Sequence, residues 1–245
     1  MRKISVPVLL ITLLGIWMAV STAAVLALAL AVMKPTGRAV ILMGTGLILL
    51  WVVLGGTLMR AFQAPIRRKV LGLRGGWRLK FVLFATLLAL LEEAVTVTMT
   101  NLAPLFGVRV GAAYITASAN YLDVVALHSV VVFVPMFIAW AWILGRWDFS
   151  PPLVFLLFGL TGTLAEVGFG GAGQFAQIGM WTFVYGLMVY LPACCLPSER
   201  GAAPPPWWGY PLAVLLPILC AIPVAAVVGH LHPVRIHFPP IVPNS

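Results

Sequence analysis

Long apolar runs separated by short polar stretches dominate the sequence. A membrane-spanning helix needs about 20 consecutive apolar residues, and seven runs reach or nearly reach that length. We expect spans at residues 6–33, 39–59, 81–105, 121–144, 152–167, 175–196 and 210–229. The pattern predicts an all-α, polytopic integral membrane helix bundle of about seven transmembrane helices in a single domain.

The fifth run leaves the number of spans open. It is short, and it continues into a glycine-rich stretch from Glu166 to Gln174 that contains no lysine or arginine. This stretch is either a tight turn or a broken helix at membrane depth, which is tolerated only where protein covers the backbone. A different fold of 152–196 would give six or eight spans.

The first run is too long for a cleaved signal. Residues 4–33 carry no charge over 30 residues, whereas the apolar core of a secretory signal is about 7–15 residues long. We therefore expect a retained membrane helix at this position.

Composition and charge give the orientation. Only 9% of the residues are charged, against about 25% in soluble domains, so the main solvent is lipid. The net charge is +9, and loop 60–80 contributes seven positive charges and no negative ones. These are Arg60, Arg67, Arg68, Lys69, Arg74, Arg78 and Lys80. An excess of positive charge favours the cytoplasmic side, which predicts a cytoplasmic N-terminus and an external, Pro-rich tail at 230–245.

The same loop suggests the partners. In a membrane setting, such a loop is expected at anionic lipid headgroups rather than on nucleic acid. We expect an integral protein of a prokaryotic cytoplasmic membrane, and a homo-oligomer is an open alternative. The tail histidines His230, His232 and His237 resemble a metal-binding tract, but in a Pro-rich tail we expect them to bind nothing.

The acidic residues carry the strongest functional signal. Of six, four fall within or at the ends of predicted spans: Glu92, Glu93, Asp123 and Glu166. An ionisable side chain costs about 2.5–3.5 kcal/mol at the centre of a membrane helix. A chain that places most of its few acids there is expected to use them in an intramembrane polar site.

Spacing places these acids in depth. If the third span begins near Phe81, a rise of about 1.5 Å per residue puts Glu92 and Glu93 roughly 17–18 Å into the bilayer, near its midplane. Glu93, Thr96 and Thr100 share one helix face, and Asn101 follows.

The fourth and fifth spans add further polar side chains. Asn120 and Asp123 begin the fourth span, His128 lies about 10 Å deeper, and Glu166 lies about 21 Å along the fifth. Antiparallel helices joined by short loops usually pack as neighbours, so we expect one pocket between these three spans. The plainer interpretations are a helix-start residue for Asp123 and an interhelical hydrogen bond for His128.

The first functional hypothesis is a membrane-embedded hydrolase. The candidate catalytic residues are Glu92, Glu93, His128 and Glu166. The candidate substrate- or ion-binding residues are Thr96, Thr100, Asn101, Asn120 and Asp123. One glutamate would act as general base, and His128 with Asn101 would stabilise an oxyanion. In a metal-dependent version, Glu93, His128 and Glu166 would hold a divalent ion. Neither HExxH nor GxSxG occurs.

The pair Glu92-Glu93 resembles the start of the EExxxR motif of the glutamate-dependent CAAX-protease family, and His128 resembles the histidine of its FxxxH motif. Val97 stands in place of the arginine and Val124 in place of the phenylalanine. No later span holds the histidine of the third motif. The resemblance covers three residues, and it implies an intramembrane protease with glutamate and histidine at its site.

Two other classes remain open. Midplane carboxylates and a histidine also suit a small proton- or cation-coupled transporter or channel, and the glycine-rich stretch after Glu166 resembles the broken helices of carriers. An accessory membrane subunit, whose carboxylates contact a partner span, is the third possibility. The seventh span has no lysine, which excludes a retinal Schiff base there.

Overall fold

The computed structural model describes residues 5–234 and 236–238. Residues 1–4, 235 and 239–245 lie outside the described residues, and with them the N-terminal positive charges and the end of the Pro-rich tail. The chain is 79% helical, and the described residues form no strand. The all-α membrane bundle predicted from the apolar runs is confirmed.

The helices follow one another with short connections. They are α1 Val6–Val32, α2 Pro35–Leu47, α3 Gly56–Ala61, α4 Gln63–Gly72, α5 Trp77–Asn101, α6 Tyr121–Leu127, α7 Val130–Arg146, α8 Pro151–Gly170, α9 Ile178–Cys194 and α10 Gly209–Leu231. A π-helical segment, Ile48–Gly55, joins α2 to α3, so Pro35–Ala61 forms one long helix.

Six of these helices are long and apolar enough to cross a membrane, and a seventh span results if α6 and α7 count as one. The two are bent by 45° at His128 and Ser129. The backbone N–H of Ser129 donates to the Val124 carbonyl at 3.0 Å, and the Ser129 hydroxyl reaches the same oxygen at 3.3 Å. A serine hydroxyl that bonds locally in this way competes with the helical pattern, so the predicted span 121–144 is interrupted there.

The bent pair still carries the chain from one end of the bundle to the other. It begins near the end of α5, since the Asn101 side chain donates to the Ala119 carbonyl at 3.0 Å. It finishes near the start of α5, where a Cβ placed on Gly145 would lie 2.6 Å from the Arg78 guanidinium. The end that holds Arg78 is called the basic end below, and the end that holds Ala119 the opposite end.

Most of the predicted basic loop 60–80 is helical. α4 occupies its centre, and Trp77 already begins α5. The Arg67 guanidinium donates through Nε to the Cys194 carbonyl at 2.9 Å, and the Lys80 ammonium donates to the Leu71 carbonyl at 3.3 Å. These cations therefore bind helix ends of the protein itself, in addition to any role at headgroups.

Small residues bring α8 and α9 close together. A Cβ on Gly159 would lie 2.6 Å from the Thr182 carbonyl oxygen, and one on Gly186 would lie 2.8 Å from the Phe155 carbonyl oxygen. Close approach through glycine is how membrane helices gain packing contacts without a hydrophobic driving force. The result is a closely packed pair of helices that carries Glu166 on α8 and its hydrogen-bond donor Tyr185 on α9.

The glycine-rich stretch after Glu166 is a turn. α8 continues to Gly170. Gly171, whose φ of 81° suits glycine, follows it, and a 3₁₀ segment, Ala172–Gln177, leads into α9. The Trp17 indole N–H donates to the Ala176 carbonyl at 2.9 Å. Trp17 lies about 17 Å along α1, so the turn lies beside the middle of that helix rather than its end.

Candidate functional site

Two adjacent glutamates are buried on α5. The exposed fraction is 5% for Glu92 and 7% for Glu93. Thr96, one turn further along α5, places its hydroxyl 2.9 Å from Glu92 Oε1 and 3.1 Å from the Glu92 backbone carbonyl. The threonine predicted to share a face with Glu93 thus bonds to Glu92.

Glu93 points towards the break between α6 and α7, where the Ser129 hydroxyl lies close to its carboxyl group. The same hydroxyl lies 3.3 Å from the Val124 carbonyl. The break therefore brings the hydroxyl of Ser129, which also reaches the Val124 carbonyl, close to a buried carboxyl group.

Glu166, half-buried on α8, lies close enough to interact electrostatically with both Glu92 and Glu93. The Tyr185 hydroxyl of α9 donates to Glu166 Oε1. Sequence reasoning did not identify Tyr185. The glycine at position 162 is the sequence feature that accompanies Tyr185. A Cβ on Gly162 would lie 2.1 Å from the Tyr185 ring, so only glycine leaves room for that ring.

Each of the three carboxyl groups thus has a hydroxyl group beside it: Thr96 and Tyr185 donate to Glu92 and Glu166, and Ser129 lies close to Glu93. The ion pairs within 4.0 Å among the described residues involve Asp123 and Asp148, not these three glutamates. We call Glu92, Glu93 and Glu166 the carboxyl cluster. Within the described part of the chain, no cationic side chain lies at contact distance from these acids.

A second polar group lies at the opposite end of the bundle. His237 Nδ1 lies 3.2 Å from Asp123 Oδ2, and His128 Nε2 lies 3.9 Å from the same oxygen. The two imidazole rings are 5.3 Å apart and nearly perpendicular. The backbone N–H of His237 donates to the Ala117 carbonyl at 2.8 Å, which docks the tail on the loop after α5.

The structure therefore separates residues that the sequence grouped together. Among the described residues, the one group of three metal-ligating side chains with ligand atoms within 4.8 Å of one another is Asp123, His128 and His237. Glu93 and Glu166 do not join His128 in such a group. His128 and Ser129 are neighbours at the break, but the first faces Asp123 and the second faces Glu93.

Three predicted binding residues stabilise the segment 102–120 between α5 and α6, which lies at the opposite end and is called the cap below. The Thr100 hydroxyl accepts from the Ile115 backbone N–H at 3.3 Å, and Asn101 bonds to the Ala119 carbonyl. Asn120 Oδ1 accepts from the Leu122 N–H at 3.0 Å and so caps α6. Their contacts in the structure are with backbone, and a role in binding substrate or ion stays a prediction.

Tyr121 connects the cap to α5. Its hydroxyl donates to the Leu90 carbonyl at 2.9 Å, two residues before Glu92. This contact fixes the start of α6 beside the carboxyl cluster. The tyrosine was visible in the sequence as the first residue of the fourth span, but its partner on α5 was not.

Comparison with known proteins finds no matching family model, curated protein or solved structure.

Proposed function

We propose that the protein is a small membrane proton carrier whose carboxyl cluster binds and releases protons. One observation carries this proposal: the hydroxyl partners of Glu92 and Glu93 each lie near two acceptors but have a single hydrogen. Thr96 lies near the carboxyl group and the backbone carbonyl of Glu92. Ser129 lies near Glu93 and the Val124 carbonyl.

A proton on each carboxyl group satisfies both sets of hydrogen bonds. Protonated Glu92 donates to the Thr96 oxygen, and the Thr96 hydroxyl donates to the backbone carbonyl of residue 92. Protonated Glu93 does the same through Ser129 and Val124. Without those protons, each hydroxyl can donate to the carboxyl group or to the carbonyl but not to both. The Val124 carbonyl still accepts from the backbone N–H groups of His128 and Ser129, so what is lost is one hydrogen bond in each set.

One broken helix and one turn between two helices flank the cluster. One is the bend at His128 and Ser129 beside Glu93, and the other is the turn that follows Glu166 and lies beside the middle of α1. Irregular backbone at membrane depth is typical of secondary transporters, where it surrounds the coupling-ion site. These two features favour transport over a purely structural role for the acids.

The membrane orientation is part of the proposal. Positive charge at loop 60–80 favours a cytoplasmic basic end, which gives the cluster an approach from outside through the opposite end. The proposed location is a prokaryotic cytoplasmic membrane, and anionic headgroups are the proposed partners of the exposed basic side chains.

A liposome experiment tests the carrier. The full chain is reconstituted with an internal pH-sensitive dye, and a potassium diffusion potential drives proton entry. We expect flux from the wild type, with loss to background for Glu93→Gln and Glu166→Gln. The control is Asp148→Asn, which neutralises an exposed acid at the basic end. Equal flux from all four proteins, or none from the wild type, would contradict the proposal.

A membrane-embedded hydrolase is the second candidate, because the Ser129 hydroxyl lies close to the Glu93 carboxyl group. As a carboxylate, Glu93 would accept the Ser129 proton while the serine oxygen attacks an acyl carbon. The bond from that carbon to the leaving group would then break, the leaving group would take the proton from Glu93, and water would hydrolyse the acyl-serine. A fluorophosphonate probe distinguishes the two: covalent labelling that Ser129→Ala abolishes and Ser150→Ala retains favours the hydrolase. Proton flux without labelling favours the carrier.

A further inference from the structure

We propose that Asp123, His128 and His237 form a binding site for a divalent first-row transition-metal ion, with Zn²⁺ as the reference ion. Two imidazoles and one carboxylate are a donor set that Zn²⁺ and its neighbours in the series bind in proteins. The site lies outside the carboxyl cluster, and it does not depend on the carrier proposal.

The distances suit one ion. Zinc lies about 2.0–2.2 Å from imidazole nitrogen and carboxylate oxygen in tetrahedral sites, so two ligand atoms of one ion lie roughly 3.3 Å apart. His237 Nδ1 and Asp123 Oδ2 are already 3.2 Å apart. The 3.9 Å between His128 Nε2 and Asp123 Oδ2 closes with a small rotation of the imidazole.

His128 supplies an independent observation. Its Nε2 atom is buried and has no hydrogen-bond partner among the described residues. A buried nitrogen without a partner costs about 1–3 kcal/mol. The lone pair of a neutral imidazole that faces Asp123 and His237 binds a metal ion with no further change in the fold.

The second ring nitrogen of His237, Nε2, is hydrogen-bonded to a backbone carbonyl, as is usual for metal-bound histidines. His237 Nε2 contacts the Val234 carbonyl oxygen. A carbonyl only accepts, so this nitrogen carries the hydrogen and Nδ1 keeps its lone pair towards Asp123. Metal-bound histidines usually donate their second N–H to a carbonyl or carboxylate, which fixes the tautomer and the ring orientation.

Three separate segments supply the ligands. Asp123 lies in the first turn of α6, His128 lies at the break before α7, and His237 lies in the tail that pairs with Ala117. His232 is a further potential donor nearby, with its ring 6.1 Å from that of His237. Bound metal would join the tail to the cap and hold the break at His128, one residue before the partner of Glu93.

Metal binding by the purified chain tests the site. The full protein, carrying a tag without histidine, is stripped of metal in detergent and titrated with Co²⁺ and then Zn²⁺. We expect one equivalent of Co²⁺ with the visible absorption of a tetrahedral complex, displaced by Zn²⁺, and no effect of Mg²⁺. His237→Ala and Asp123→Asn should each weaken binding by more than the roughly 10–100-fold that loss of an outer hydrogen-bond partner costs.

The matched control is His230→Ala, an exposed histidine at the end of α10, which should bind as the wild type does. A melting experiment covers variants that bind nothing because they are misfolded: Zn²⁺ should raise the Tm of the wild type and His230→Ala, but not that of a folded Asp123→Asn. Absence of stoichiometric binding by the wild type would overturn the proposal. So would an equal loss of binding in His230→Ala and His237→Ala.

Discussion

Gly162 lies directly against the ring of Tyr185, the tyrosine whose hydroxyl donates to Glu166. The same helix that carries the carboxyl group thus provides the space for its hydrogen-bond donor. Glycine at 162 is a requirement of the site as well as of packing, because any larger side chain would push Tyr185 away from Glu166.

The first prediction follows from this contact. Gly162→Ala places a Cβ 2.1 Å from ring atoms of Tyr185, and overpacking of this kind costs typically about 1–3 kcal/mol. We expect a lower free energy of unfolding in detergent, measured by tryptophan fluorescence. Gly168→Ala is the control on the same helix, because no atom lies within 4 Å of its Cβ. Equal stability of the two variants would show that Tyr185 moves aside freely.

Tyr185→Phe tests the hydrogen bond itself. The change keeps the ring and removes the hydroxyl that donates to Glu166. Leaving a partly buried acceptor without its donor costs about 1–3 kcal/mol. Infrared difference spectra should show the carbonyl stretch of Glu166 displaced, because its hydrogen-bonded environment changes. Tyr210→Phe, at the basic end and in ring contact with Phe149, should leave that band in place.

The positions of the long apolar helices could be predicted from the sequence because each depends only on a continuous run of apolar residues. A run of apolar residues identifies a membrane helix wherever its neighbours lie, and a carboxyl pair near the centre of such a run must lie in the bundle. Glu92 and Glu93 are accordingly buried. Helix ends differed by a few residues, since α5 begins at Trp77 rather than at residue 81.

The composition of the site could not be predicted in the same way. The apolar run 121–144 gives no sign of a break at Ser129, because a single serine is compatible with a membrane helix and only its bond to Val124 ends the regular pattern. The break turns His128 away from Glu93. His237 reaches Asp123 through a backbone contact with Ala117, 120 residues away in the chain, and spacing along the chain does not encode such a contact.

Arg200 and Asp148 form an ion pair at the basic end whose members should contribute unequally. Asp148 is largely exposed, whereas the Arg200 side chain is 7% exposed and also donates to the Leu144 carbonyl at 3.0 Å. Exposed ion pairs are worth about 0–1 kcal/mol, so Asp148→Asn should change Tm little. Arg200→Ala should lower Tm clearly, because a backbone carbonyl at the end of α7 also loses its donor. A larger effect of Asp148→Asn than of Arg200→Ala would contradict this assignment.

Cys195, just beyond α9, should be a slow thiol. Burial raises its pKa to about 11, although the nearby Arg67 guanidinium acts in the opposite direction. The thiolate is the reactive form, and at neutral pH its fraction falls roughly 300-fold relative to a free thiol of pKa about 8.5. In a chain with Cys194→Ala and Cys220→Ala, maleimide labelling should be slow in the native state and fast after denaturation. A single cysteine introduced by Glu199→Cys, at an exposed site nearby, provides the fast reference.

Whether the bent pair α6 and α7 spans the membrane decides on which side the tail lies. If the bent pair is a span, the basic end and the tail lie on opposite sides of the membrane; if it is not, they lie on the same side. Single cysteines introduced by Gly75→Cys and Val234→Cys, both at exposed positions, distinguish these cases in a cysteine-free chain. A membrane-impermeant maleimide added to intact cells should label residue 234 and leave residue 75 unlabelled until the membrane is opened. Labelling of both, or of neither, in intact cells would place the two positions on one side, and α6 and α7 would then form a re-entrant pair rather than a span.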